Sequence, residues 1–505
     1  MSHCSSCCAS RCDSCPDSGV SRRNFLATLG AAGAALAVPA FAKDPIRQMP
    51  VRNALAVQPV FTYRVPQRRE ATSWREWGGI LSEADAAAEK ERIGRELAEL
   101  KRTADFPLDI RPLMVCQTPE EAEKLSAGTH DTTIVYAAGG GLKLMETLTP
   151  ESKWNMMFVR HNPGPAYLWY EIAHPRYLRK TVDQYGQPGM TPHDVIVDKH
   201  SEMLWRLRAL GGLKNTLGKK IIAIGGASGW GEGGSKAPQI SRDLWKLNIE
   251  TVEYPALAER IKLARKNDAL VKRAHAAAET YLKPKNVTLE TKKEFVLNSF
   301  VLTEVFRELL DEAKTDTLTI NQCMGTIMPM SETTACLPLS LLNDDGYMAF
   351  CESDFVVIPS GILLRYIAGK PVFLNDPTYP HDGMVTIAHC TAPRRMDGVH
   401  QEPVRIMTHF ESDYGAAPKV EMKKGQITTN LVPDFDCKKW VGFTGDVIDN
   451  PFLHICRSQT DVSVKGDCMK LAEEMKGFHW MMSYGDYLKE TGYALRKLGV
   501  KLTLV

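Results

Sequence analysis

An excess of either charge is nearly missing from this 505-residue sequence: 62 Lys and Arg stand against 60 Asp and Glu, a formal net charge of +2. A broad basic surface is therefore not expected, which argues against nucleic acid or an anionic membrane as the main partner. A long apolar run suited to spanning a bilayer is also lacking. The nearest approach, the Ala- and Gly-rich stretch ending at Ala42, is too short and too weakly apolar for a spanning helix. No repeat at a fixed short period is present, so a repeat architecture is not expected. With 44% hydrophobic and 24% charged residues the composition is that of a globular protein. The length exceeds one ordinary core and suggests about three domains.

The N-terminus has the form of a targeting segment. In "SRRNFLATLGAAGAALAVPAFA", Arg22-Arg23 precede Phe25 and Leu26, a weakly apolar run follows, and small residues mark a cleavage point after Ala42. This matches a twin-arginine export signal. The expectation is export in folded form through the twin-arginine machinery to a periplasmic or other extracytoplasmic location, with any cofactor acquired beforehand. Five of the 13 cysteines precede this signal: Cys4, Cys7, Cys8, Cys12 and Cys15. Two C-x-x-C pairs among them have zinc-like spacing, but they lie upstream of the cleavage point and read as a discarded leader. Of the eight that remain, several sit in apolar runs, where cysteine serves as a small hydrophobe. Disulfides are permitted there but not indicated.

After the signal segment, 1–42, the Pro-rich stretch 43–83 reads as a linker or extended arm. Residues 84–217 alternate helix and strand patterns and are expected to form an α/β domain. Residues 218–376 repeat that texture as a second α/β domain. From 377 to 505 the segments shorten, separated by Gly, Pro and Asp, and read as a β-rich, barrel-like domain with a closing helix and a last strand. The expected fold class is thus α/β, with two Rossmann-like parallel-sheet domains followed by a barrel-like β domain.

Chemistry is suggested by "SETTACLPLSLLNDDGYMAFCESDF", Ser331 to Phe355, in which acids bracket an apolar stretch. Glu332 follows the strand "TLTINQC", and Asp354 follows the strand "YMAFCES". Both are expected at the carboxyl ends of neighbouring parallel strands, the edge where open α/β sheets bind ligands. Two convergent carboxylates repel unless a cation or a shared proton lies between them, and a hard divalent ion is the simplest resolution. Asp354 as a helix cap is the competing reading. His479 in "GFHWMMSYGDYL" could supply an imidazole to the same ion; a hydrogen-bonded core histidine is the alternative. His389 is a candidate metal or sugar contact and Arg457 a candidate contact to a sugar hydroxyl or carboxylate, with a strand end and an internal salt bridge as the structural readings. Met481 and Met482 read as core.

The ordered motifs "ETTACLPLSLLNDDGYMAFCESD", "LLRYIAGKPVF", "AHCTAP", "HICRSQTDVSV" and "GFHWMMSYGDYLKETGYALRKLGVK" resemble the L-fucose isomerase/L-arabinose isomerase family, closest to its fucose-isomerase-like branch. The resemblance covers roughly the C-terminal half. It implies a manganese or other divalent ion held by Glu332, Asp354 and His479, with Glu332 and Asp354 also moving protons between C1 and C2 of a sugar through an ene-diol. It also implies a homo-oligomer acting on a small sugar. Phe478 and Trp480 depart from the polar residues usual in this last motif, and Trp480 becomes a candidate substrate contact. Two other functions are kept open: an exported, non-catalytic sugar-binding protein derived from an isomerase, and an NAD-linked oxidoreductase. The latter would use "GGASGWGEGG", whose Gly229-x-Gly231-x-x-Gly234 has the dinucleotide fingerprint but begins five residues beyond the strand end at Ile224. A substrate loop is the favoured reading of that stretch.

Overall fold

Leu55–Thr62 (β1) opens the described fold, and every residue of it except Ala56 is buried. Residues 52–67, 70–71, 79–162, 164–165, 167, 178 and 189–505 are described in the computed structural model. The twin-arginine segment and its cysteine pairs lie outside them. The Pro-rich reading assigned β1 to a linker; the structure instead makes it an interior strand. Pro59 is tolerated there for a local reason. On one side β1 pairs first with Leu108–Ile110 (β2), through Leu55 to Val57, and then with Met114–Val115 (β3), through Val60 and Phe61. Pro59 falls in the interruption between those ladders, where no N–H is needed. Its carbonyl accepts a hydrogen bond from the Gln58 side chain at 3.0 Å. Thr132–Ala137 (β4), Trp154–Val159 (β5) and Val195–Val197 (β6) complete a parallel sheet of order β2-β1-β4-β5-β6.

Two of the early helices begin at capping residues. Ser82 caps Glu83–Thr103 by accepting from the Asp85 N–H, and Thr118 forms a capping box with Glu121 at the start of Pro119–Ser126. The second sheet is also parallel. It contains Lys220–Ile224 (β7) and Asn248–Val252 (β8) and, beyond Val287–Leu289 (β9), Thr317–Ile320 (β10) and Met348–Phe350 (β11), in the order β11-β10-β7-β8. Strand β9 leaves this unit to pair with Val404–Met407 (β14, numbered in chain order).

The C-terminal strands are Phe373–Pro377 (β12), Met384–His389 (β13), Ala417–Val420 (β15), Ile427–Val432 (β16), Lys439–Asp449 (β17), Ser458–Ser463 (β18), Trp480–Tyr484 (β19) and Lys501–Leu504 (β20). Six of them close a ring, β16-β19-β12-β13-β18-β17 and back to β16, in which every pairing is antiparallel. Strand β20 adds in parallel to β17, and β15 pairs with β14. The α/β class with two parallel sheets ahead of a barrel is therefore what the chain adopts. One apolar core runs through all three parts: Phe61, Phe158, Ile221, Val357, Trp440 and Met481 belong to the same buried cluster. The closing helix Leu488–Lys497 is tied to the first part, where Tyr493 and Lys497 each reach Asp194 at 2.6 Å. No helix among the described residues is long and apolar enough to cross a membrane.

Candidate metal centre

Strand β11 ends at Phe350, and the next residues turn sharply. Glu352 and Ser353 have φ of +64° and +47°, left-handed values that cost energy in non-glycine residues and cluster at functional sites. The turn is held by its surroundings: Ser353 N–H donates to Thr319 Oγ1 of β10 at 3.1 Å, and the Ser353 carbonyl accepts from Ser228 N–H at 3.2 Å. This aims Glu352 away from the sheet edge.

The barrel register supplies the facing groups. Asp376 on β12 pairs with Ala388, the neighbour of His389 on β13, and Asn375 pairs with Trp480, the neighbour of His479. Asp376, His389 and His479 thus gather at one end of the ring. The Nε2 of His479 lies 3.3 Å from Asp376 Oδ1 and 3.4 Å from Glu352 Oε2, while Glu352 Oε1 lies 3.7 Å from His389 Nε2. Both histidines are buried and the two acids are partly open, so the imidazoles form the floor and the carboxylates the accessible side.

Each imidazole is oriented from behind. His479 Nδ1 donates to Asp354 Oδ2 at 2.8 Å, and His389 Nδ1 lies 3.0 Å from Thr391 Oγ1. Both Nε2 atoms and Asp376 Oδ1 have no hydrogen-bonding partner despite being sealed from solvent. Orphaned buried polar atoms are expensive unless a cation completes them. Bonds of about 2.0–2.2 Å to one ion place its N and O ligands roughly 3.0–3.5 Å apart, the spacing of His479 Nε2 from both carboxylates, with the Glu352–His389 contact slightly longer. An outer hydrogen bond that fixes the imidazole tautomer is the usual support of a metal-ligating histidine. Two sets of atoms meet the geometry of a chelating cluster: Asp376, His389 and His479, and Cys351, Glu352 and His389. The fold thus carries two candidate metal-chelating clusters around one histidine.

Without a cation these groups perturb one another. Burial works against a charged His479, but its bond to Asp354 and the nearby carboxylates of Glu352 and Asp376 outweigh it and raise the pKa to about 10. Burial likewise opposes charge on His389, and Asp376 and Glu352 raise it nonetheless. Burial pushes Glu352 up, yet His389 and His479 hold it far below the usual carboxylate range. Asp376 moves the other way, raised mainly by burial.

The residues singled out from sequence separate into two groups. Asp354, His389 and His479 come together, but Asp354 is not placed as a ligand. Its Oδ2 holds His479, and its Oδ1 accepts from Trp230 N–H at 3.1 Å and Val356 N–H at 3.0 Å. Orienting describes it; the helix Ile358–Ala368 that follows begins at Val357 without a side-chain cap, so Asp354 is not its cap. His479 precedes strand β19 rather than the closing helix. Glu332 lies elsewhere: its side chain is 61% exposed, pairs with Arg265 at 2.7 Å and ends a helix. The reason is that Cys323–Ser331, read as part of a short connection, is helical and runs about 13 Å past the end of β10. Arg457 bonds the Thr408 carbonyl at 2.7 Å and hydroxyl at 3.2 Å, so its guanidinium braces the β domain. Trp480 is fully buried, edge-on to Phe443 in the barrel interior, and Met481 and Met482 are core.

Glu352 and Asp376 are the acids that sequence reasoning passed over. Glu352 stood in the bracketing "CESD" and Asp376 in "FLNDP", a carboxylate at the end of an apolar strand, which was the available signal. The glycine loop after β7 is occupied with the site. Its Trp230 stacks on Phe478 with centroids 4.2 Å apart and stands edge-on to His479 at 5.3 Å. Both outer aromatics are 43% exposed and form a wall beside the centre. All eight cysteines among the described residues are free thiols. A scan against family models and a search of curated proteins give no match to the chain.

Proposed function

We propose that the protein is a metal-dependent aldose–ketose isomerase of the L-fucose/L-arabinose isomerase kind, with its divalent cation held by Glu352, Asp376, His389 and His479. The observation that carries this reading is the convergence of two unpartnered, rear-braced imidazole nitrogens on two partly open carboxylates. The site fits such an ion because the donors are of the N/O type suited to manganese, zinc or iron(II). When bound, the cation supplies Lewis-acid polarisation of a hydroxyl–carbonyl pair.

The chain's own residues do the rest. Glu352 and Asp376 are the two partly open carboxylates of the centre, both within 3.4 Å of the same His479 nitrogen, and carboxyls so placed can exchange protons with a bound sugar. Glu352 takes a proton from the carbon next to the carbonyl, and Asp376 provides one to the oxygen, giving an ene-diol; reversing the roles at the neighbouring carbon completes the isomerisation. His479, locked by Asp354, keeps its Nε2 turned toward the two carboxylates. The Trp230–Phe478 wall offers a flat apolar face to the C–H side of a sugar and restricts water.

The test is direct. The purified protein is analysed for bound metal by mass spectrometry, and an aldose panel is followed by NMR in D2O. Ketose should form with deuterium entering from solvent, and Asp376→Asn should lower turnover at least about a hundredfold. A bound metal with no ketose from any aldose would leave the sugar-binding reading and remove the isomerase.

A further inference from the structure

The second cluster begins one residue before Glu352. Cys351 Sγ, a Glu352 oxygen and a His389 nitrogen lie mutually within 4.8 Å, and the Cys351 residue is only 4% exposed. The thiol is therefore an interior donor. Thiolate is a soft ligand, whereas the Asp376 carboxylate at the other position is hard. His389 belongs to both sets. Its Nδ1 is engaged with Thr391, which leaves Nε2 as the ligating atom, and that atom has no hydrogen-bonding partner although the residue is 3% exposed. One imidazole nitrogen binds one ion. Occupation of either position therefore removes His389 from the other, and Glu352, with one oxygen toward each histidine, is drawn in the same direction.

We propose that Cys351, Glu352 and His389 form a second, thiol-containing cation position that takes a thiophilic divalent ion such as Zn2+, and that it competes with the harder ion held through Asp376 and His479. Three protein donors with a fourth place for water suit zinc. Binding breaks the Cys351 S–H bond and forms an S–Zn bond; the proton leaves to solvent and nothing is oxidised or reduced. This rests on the metal-centre reading above, but not on the isomerase chemistry. It makes zinc an inhibitor of the hard-metal form.

Metal-stripped protein carrying Cys4→Ser, Cys7→Ser, Cys8→Ser, Cys12→Ser and Cys15→Ser, so that the N-terminal C-x-x-C pairs contribute nothing, is titrated with Co2+ to test the thiol, because thiolate ligation adds a near-ultraviolet charge-transfer band that N and O ligands lack. This parent protein should show the band, Cys351→Ser and Cys351→Ala should lose it, and Asp376→Asn should keep it. In parallel, Zn2+ should displace Mn2+ at least about tenfold more effectively in the parent than in the Cys351 variants, whose remaining N and O donors still favour zinc over manganese by the ordinary divalent order. Far-UV circular dichroism establishes that each variant is folded, and the serine and alanine variants give two independent folded comparisons. A cobalt-bound parent without the band overturns the proposal. So does a band that survives both Cys351 substitutions, or equal zinc competition in all forms. None of these readouts uses sugar turnover, so loss of the band with isomerisation intact sinks only the second position, and the band without isomerisation sinks only the reaction.

Discussion

Asp354 spends its carboxylate on three neighbours: His479 Nδ1 and the N–H groups of Trp230 and Val356. Its effect on a cation therefore passes through His479. Asp354→Asn should lower divalent-metal affinity about 10–100-fold, read by competition with a chelator, because an amide no longer selects the tautomer that points Nε2 inward. The thermal transition and circular dichroism should show the fold retained. Glu332→Gln provides the contrast. That residue sits in a solvent-exposed ion pair with Arg265, and such pairs are worth about 0–1 kcal/mol. Metal content and turnover should stay at wild-type levels, and a loss comparable to that of Asp354→Asn would show that the geometry described for the centre is wrong. His479 and Asp354, 125 residues apart, were both legible because an acid after a parallel strand and a histidine in a shaped loop are local patterns. Glu332 misled because its distance from the sheet edge depends on whether Cys323–Ser331 is coil or helix. Pro329 and Gly325 within that segment argue for coil, and packing decided otherwise.

At the scale of elements, the centre depends on a turn, a ring of strands and a loop meeting at one point. The loop is the most sensitive of the three. A Cβ placed on Gly229 would lie 2.1 Å from the Gly234 carbonyl oxygen, a contact the backbone cannot absorb without moving. Gly229→Ala should displace Trp230, break its bond to Asp354 and its stack on Phe478, and reduce kcat/KM about tenfold or more. Bound metal should be retained, since none of the four proposed ligands lies on the loop. Unchanged kinetics would mean that the loop is only a cover. The glycines that matched a dinucleotide fingerprint in spelling thus have a steric use of another kind. Gly229 and Gly234 approach each other closely and shape a cap over the centre.

Across the whole molecule, stability carries its own pH signature away from the metal. Asp344 accepts two backbone N–H bonds at Oδ1, from Arg394 and Arg395, while its Oδ2 is sealed and has no hydrogen-bonding partner. Burial, chiefly, raises its pKa to about 7. An unfolded aspartate ionises near 3.9, so between about pH 4 and 7 the unfolded chain binds fewer protons than the folded one. By linkage, folding stability falls as pH rises through that window, by on the order of 1–3 kcal/mol. Asp344→Asn should flatten this slope in thermal melts at pH 5 and pH 8. A slope unchanged by the substitution would assign it to other groups. The same scale separates what was readable from what was not. Alternating strand and helix periods, capping residues such as Thr118, and the change of texture near residue 375 determined two parallel sheets followed by a β-rich unit, because these are local preferences repeated along the chain. The membership of β1 was hidden, because Pro59 is acceptable only opposite the gap between β2 and β3, a property of two other strands. The convergence of Glu352, Asp376, His389 and His479 was decided by tertiary structure alone. Barrel closure sets the register that brings β12, β13 and β19 to one end of the ring, and no short-range pattern encodes which carboxylates that register will place beside two imidazoles.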